Sequence, residues 1–227
     1  MTPEQRYLFD MTGYLHLKNV LSGDELQQAQ EAAERYVQSP PNQLPPGFEG
    51  NDGNYIHGFA FDKSLEALTM HPVTWLIIKE LTADKPQFVG GSLRVNTHKQ
   101  RRFFELHSRR EEDNCVEWPR YFCRDGRIYC DDLVFFFYLT DVFPGDGGLI
   151  VLPGSHKSEF KRPDDFFVPN GEDTDPEPHP AVTNITPRAG DVVVITELLT
   201  HGSGSPLSDS AIPATTHATA ECVPRRD

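Results

Sequence analysis

Hydrophobic and polar positions follow two regimes along the chain. Up to about residue 85 they recur mostly at helical spacing, and from Pro86 onward they gather into short runs split by turn signals. After Gly13, the stretch YLHLKNV alternates Tyr14, Leu15, His16, Leu17 and Lys18 with the period of a short strand. Ser22 then offers an N-cap, and Asp24 and Glu25 an acidic first turn. Leu26, Ala29, Ala33 and Val37 form a helical stripe that SPPNQLPP stops. Residues 39–53 are rich in Pro, Gly and Asn and read as a loop. The segment from Leu65 to Leu81, containing LTMHPVTWLIIKEL, predicts a second helix with Pro72 near its start.

The second regime predicts an antiparallel β-domain. Its candidate strands are FVGGSLRVN, RRFFELH, GRIYC, LVFFFYL, LIVLPGS, NITP and DVVVITELLTH. Turns are expected at Arg124-Asp125-Gly126, at Pro144 to Gly148 and at Ala189-Gly190-Asp191. The stretch from Lys161 to Ala181, Pro-rich and acidic, is too long for a simple connector and reads as a surface loop or lid. One domain is expected over 1–227: a mainly helical part over 1–85, a β core over 86–209 and an atypical tail over 210–227.

Composition narrows the partners. The chain has 227 residues, 37% hydrophobic and 24% charged, which suits a globular fold. Its formal net charge of −13 disfavours polyphosphate and anionic surfaces, so no nucleic acid and no membrane partner is expected. No apolar run approaches the ~18 residues of a membrane span, and the opening MTPEQRYLFDMTGYL has no signal-peptide pattern. Cys115, Cys123, Cys130 and Cys222 form no CxxC pair, which predicts reduced thiols in a cytoplasmic protein.

Chemistry concentrates at two histidines. His107 ends RRFFELH and His201 ends DVVVITELLTH. Glu105 shares a strand face with His107, because residues i and i+2 point the same way, and Glu111, Glu112 and Asp113 follow close behind. Glu197, read as part of one continuous strand with His201, would lie ~13 Å from it and line the interior.

The runs YLTDVFPGDGGLIVLPGSHKSEFKRP and ITPRAGDVVVITELLTHGSGSPLSD resemble the phytanoyl-coenzyme A dioxygenase family, a branch of the iron(II)/2-oxoglutarate oxygenases. The resemblance rests on LTDV, the GDGG turn, PGSHK at Pro153 to Lys157, AGDVV, and THGSG at Thr200 to Gly204, and extends over roughly Gln5 to Asp209. It implies a mainly β fold with flanking helices, a double-stranded β-helix or jelly-roll, cupin-like barrel with a metal at its open mouth. Fe(II) and 2-oxoglutarate are the implied cofactor and co-substrate. The implied reaction hydroxylates a small-molecule substrate while 2-oxoglutarate is decarboxylated to succinate and CO2.

The family holds iron with a His-X-Asp pair and a distant histidine, the facial triad. His107 and His201 match the two histidines, but Arg109 stands where the aspartate belongs, so Glu105 or Glu111 is the candidate carboxylate ligand. Ile212 stands where the family places a co-substrate arginine, and the tail shows no basic-then-apolar closing strand. Ser203 matches a position that assists the same carboxylate, and Arg94, Lys99 and Arg101 are further candidates for pairing with an anionic co-substrate. Tyr129 and Tyr138 are read as core, and His156 as structural within its turn. Arg109 and Ile212 favour the alternative, a catalytically silent jelly-roll binding protein.

Overall fold

Thr2 and Gln5 cap each other's backbone at the start of helix α1 (Pro3–Thr12), where Pro3 needs no N–H partner. The computed structural model describes residues 1–51, 53–96, 104–109, 120–163, 179–204 and 217–226. Gly13 ends α1 at φ 81°, and a Cβ there would lie 2.7 Å from the His156 ring, so this position needs glycine twice over. Strand β1 (Tyr14–Leu17) follows, then α2 (Gly23–Gln38), whose N-cap is Ser22 as the sequence predicts, with Glu25 reaching back to complete a capping box.

Short strands β2 (Gly50–Asn51) and β3 (Asn54–Ile56) precede α3 (Gly58–Phe61), α4 (Lys63–Leu68) and α5 (Pro72–Leu81). The single helix expected over Leu65 to Leu81 is therefore two. Pro72 cannot sit inside a helix without losing a hydrogen bond, so His71 becomes an N-cap and Pro72 begins α5.

The β part comprises β4 (Pro86–Gly90), β5 (Ser92–Asn96), β6 (Phe104–His107), β7 (Tyr121–Arg124), β8 (Arg127–Cys130) and β9 (Leu133–Tyr138). It continues with β10 (Gly148–Val151), β11 (Thr183–Asn184), β12 (Val192–Thr196), β13 (His201–Gly204) and β14 (His217–Arg226). The larger sheet runs β1-β12-β9-β14-β5-β3-β2, with β4 also on β14, and the smaller runs β11-β10-β13-β6. Their pairings are antiparallel, as in a jelly roll. Asp125 and Gly126, both at positive φ, turn the β7–β8 hairpin at the predicted place.

Strands β9 and β12 read as continuous apolar runs because both of their faces are covered. Phe135, Phe137, Val192 and Val194 belong to the core shared with the helices; Val134, Tyr138, Val193 and Ile195 belong to the core with Leu149 and Val151 of the smaller sheet. The tail, in which the sequence shows no closing strand, holds β14, which pairs with β9 on one side and β5 on the other. Arg225 lies at its far end, opposite Gln87 of β4.

A polar knot fastens α1 to the barrel. Asp10 Oδ1 accepts from the Tyr121 hydroxyl at 2.8 Å and the Cys123 thiol at 2.9 Å, and pairs with Lys157 Nζ at 2.6 Å. Burial pushes the Asp10 carboxyl up, but the Cys123, Lys157 and Tyr121 donors outweigh it and hold it at about 2. His156 is fully buried in the Ser155–Lys157 turn, with Nε2 3.2 Å from the Asp10 carbonyl oxygen and its ring 4.6 Å from that of Tyr121. It packs as the sequence reading expects, outside the histidine pair described next.

Candidate metal centre

His107 ends β6 and His201 begins β13, neighbouring strands of the smaller sheet, and the two residues are partners in register. Their ring centroids lie 4.4 Å apart at 51°. A register shift between His201 and Ser203 bends the ladder beside them, as a β-bulge does near the rim of a barrel. His201 is buried at 7% exposure, whereas His107 is exposed.

Hydrogen bonding fixes the tautomer of His201. Its Nδ1 stands 2.8 Å from the Leu199 carbonyl oxygen, which can only accept, so Nδ1 carries the proton and Nε2 presents a lone pair. Burial, then the neighbouring His107, then Arg94 lower its pKa to about 4, and the backbone bond to Leu199 only partly offsets them. The ring is therefore neutral at pH 7, the form that ligates a metal, and its Nδ1–H is held as metal-bound histidines usually are.

Position 109 behaves differently. Arg109 follows β6 in a turn, where its backbone N–H donates to the Glu197 carbonyl at 3.0 Å. Its Nε stands 3.9 Å from Oδ2 of Asp132, a side chain with no exposed surface, and the Glu197 N–H donates to the Asp132 carbonyl at 3.1 Å. Three segments thus meet at residues 109, 132 and 197. A guanidinium has no lone pair to give a cation. The site therefore fits a metal through its two imidazoles and not through Arg109. Among the described residues no third His, Cys, Asp or Glu joins them. The Glu105 side chain, the whole of Glu111, Glu112 and Asp113, and Lys99, Arg101 and Ile212 lie outside the described residues.

Glu197 corrects one expectation. DVVVITELLTH is not a single strand: β12 stops at Thr196, a turn takes Glu197 to Leu199, and β13 starts at His201 in the other sheet. The ~13 Å separation expected along a strand does not apply. Glu197 lines a cavity of about 470 Å³ together with Arg94, Arg109, Asp132, His57 and Ser92.

Arg94 reaches this cavity from β5, directly beside β14, and its charge is felt at His201. Ser203 is half-buried in β13, opposite Leu149 and Phe104. Burial at 3% exposure pushes the Tyr138 hydroxyl up in the core, and Tyr129 stacks on Phe122 at 4.8 Å. Arg162, at the start of the long acidic stretch, donates to the Leu106 carbonyl at 2.9 Å and so braces the backbone next to His107. Asp132 is the polar residue that sequence reasoning missed. Its only signal is that Asp131-Asp132 directly precedes the apolar run LVFFFYL, and so must enter the core with it.

The family model of phytanoyl-CoA dioxygenase (PhyH) matches residues 9–212. No curated protein matches the chain in sequence. Among solved structures, the fold is similar to HygX from Streptomyces hygroscopicus with nickel and 2-oxoglutarate bound. That likeness has TM-score 0.78 and 21% identity over 100% of this chain and 87% of that one. It is similar also to EctD from S. alaskensis with 2-oxoglutarate and 5-hydroxyectoine, at TM-score 0.73 and 21% identity, covering 100% and 76% of the two chains. A third likeness is to the non-heme alpha ketoglutarate dependent carbocyclase SnoK from nogalamycin biosynthesis, at TM-score 0.68 and 17% identity, covering 100% and 84%.

Proposed function

Because the chain belongs to the phytanoyl-CoA dioxygenase family, we propose that it is an iron(II)- and 2-oxoglutarate-dependent oxygenase that hydroxylates a small organic molecule. One observation carries the reading: two imidazoles from adjacent strands lie with ring centroids 4.4 Å apart, and the buried one has Nδ1 on the Leu199 carbonyl, which leaves Nε2 to give a lone pair. HygX was crystallised with iron, and with nickel, 2-oxoglutarate and hygromycin B, and EctD with 2-oxoglutarate and 5-hydroxyectoine, which supports the same cofactor, co-substrate and kind of substrate here.

His107 and His201 would hold the iron, with Glu105 or Glu111 as the candidate third ligand. When bound, iron supplies the redox chemistry that couples dioxygen and 2-oxoglutarate to oxidation of a substrate. The chain's own part is positioning. The Leu199 carbonyl keeps the His201 ring in one tautomer and orientation, and Arg162 steadies the strand carrying His107. Ser203 and Arg94 are the residues proposed to meet the anionic co-substrate, since a guanidinium pairs bidentately with a carboxylate. No helix among the described residues is long and apolar enough to cross a membrane.

Arg109 favours a second reading. A cation in place of the carboxylate ligand, beside the buried Asp132, is what a silent binding barrel would retain. Succinate release decides between them. Purified protein with Fe(II), ascorbate and 2-oxoglutarate is expected to form succinate, including slow uncoupled turnover without substrate. A folded protein that takes up iron yet forms none supports the silent barrel.

A further inference from the structure

Besides its charged residues, the cavity of about 470 Å³ is lined by Ile56, His57, Val89 and Ser92, which offer an imidazole, a hydroxyl and hydrocarbon. Strand geometry sets them together. Leu93 and Val95 of β5 turn into the core, so Ser92 and Arg94 share the other face of the strand, and Ile56 of β3 pairs with Ser92 in register. His57 comes next in the chain. Gly58 then lies so close to β5 that a Cβ there would stand 2.6 Å from the Leu93 nitrogen.

His57 holds a backbone conformation that suits another residue better. Its φ is 56°, a region that glycine enters freely and a larger side chain enters at a cost. The ring contributes little to the fold in return. It is exposed, meets the Phe48 ring edge-on at 6.0 Å between centroids, and makes no hydrogen bond among the described residues. The Ser92 hydroxyl, half-buried on the cavity wall, makes none among them either. Two hydrogen-bonding side chains thus stand side by side at the cavity with nothing in the fold to hold them there.

We propose that His57 and Ser92 recognise the substrate, a neutral molecule bearing hydroxyl groups, whose hydrocarbon part lies on Ile56 and Val89. The proposal rests on the oxygenase reading only in calling the ligand a substrate, and it leaves Arg94 to the co-substrate. Imidazole and hydroxyl groups both donate and accept hydrogen bonds, as an alcohol does. A carboxylate only accepts and an alkylammonium only donates, so each matches half of what the two side chains offer. The volume is within the range of small-molecule sites.

Three probes on one ring separate the cases: trans-1,2-cyclohexanediol, cyclohexanecarboxylate and cyclohexylammonium, titrated calorimetrically at pH 8 into the full chain with Ni(II) and 2-oxoglutarate. The diol is expected to bind at least about tenfold tighter than either charged probe. His57→Gly removes the ring and suits the local φ. It should leave the urea midpoint unchanged or higher while weakening the diol about tenfold. Ser92→Ala should weaken the diol about threefold or more, with circular dichroism showing that it folds. A charged probe that binds as tightly as the diol, no detectable diol binding, or diol binding unchanged in both variants would overturn the assignment. So would a lowered urea midpoint in His57→Gly, which would give the ring a structural task. Succinate assays on the Fe(II) form keep the two readings apart. Succinate formation without preference for the diol defeats this inference alone, and His57-dependent diol binding without succinate formation defeats the oxygenase reading alone.

Discussion

Asp10 and Asp132 are both carboxylates set among donors and cations, yet their surroundings differ. Around Asp10, donors from Tyr121, Cys123 and Lys157 converge on a single oxygen at 2.6 to 2.9 Å, and the group joins a helix, a hairpin and a turn. Around Asp132, the Arg109 guanidinium stands off at 3.9 Å, the carboxylate has no exposed surface, and a cavity opens alongside. Tight convergence locks segments together and leaves no room for a ligand. Spacing between opposite charges, next to a histidine pair, leaves room for chemistry.

The largest effect expected from breaking this contrast is at Arg109. Arg109→Met removes the cation beside a fully buried carboxylate and should lower unfolding free energy by about 3 kcal/mol, read by urea denaturation. Arg109→Asp combined with Asp132→Asn rebuilds a His-X-Asp pair without placing two acids together. It should raise Fe(II) affinity at least about tenfold in equilibrium dialysis. Unchanged affinity would show that position 109 does not face the metal.

Asp10→Asn is expected to cost less, about 1 kcal/mol, because the group is partly solvated, and to leave succinate formation unchanged. Its pH signature has a definite sign. The folded carboxyl titrates at about 2 against a reference of 3.8, so its contribution is fully present above the unfolded value. It is lost as pH falls from about 4 toward 2. Wild-type stability should therefore drop more steeply than that of Asp10→Asn across that window, and parallel curves would contradict the knot.

The smallest effect concerns Cys123. Burial and then the Asp10 carboxylate push its thiol up to about 11, so little thiolate exists at pH 8. Iodoacetamide should label Cys123 slowly, and Asp10→Asn should accelerate labelling a few-fold by removing one cause of the raised pKa. A rate unaffected by that substitution would mean that burial alone governs the thiol.

What the sequence made legible was local or carried by family motifs. Ser22 announces an N-cap, Asp125-Gly126 announces a hairpin, and His107 and His201 stand at the ends of strands that register brings together. What it hid depends on distant partners. HATAECVPRR has few β-branched or aromatic residues and contains Pro224, yet it forms β14 because β5 and β9 leave a place for it between them. Glu197 changes role because a turn transfers the chain from one sheet to the other within four residues. The Arg109–Asp132 pair joins positions 23 apart across a hairpin, and no spacing rule anticipates that.

The central claim, that His107 and His201 form a metal centre despite Arg109, is tested most directly by Fe(II) uptake under anaerobic dialysis. The wild-type chain should take up one equivalent, and His107→Ala and His201→Ala should each weaken binding by more than about a hundredfold while remaining folded. A wild-type chain that takes up no iron, or alanine variants that bind it as well as the wild type, would contradict the claim.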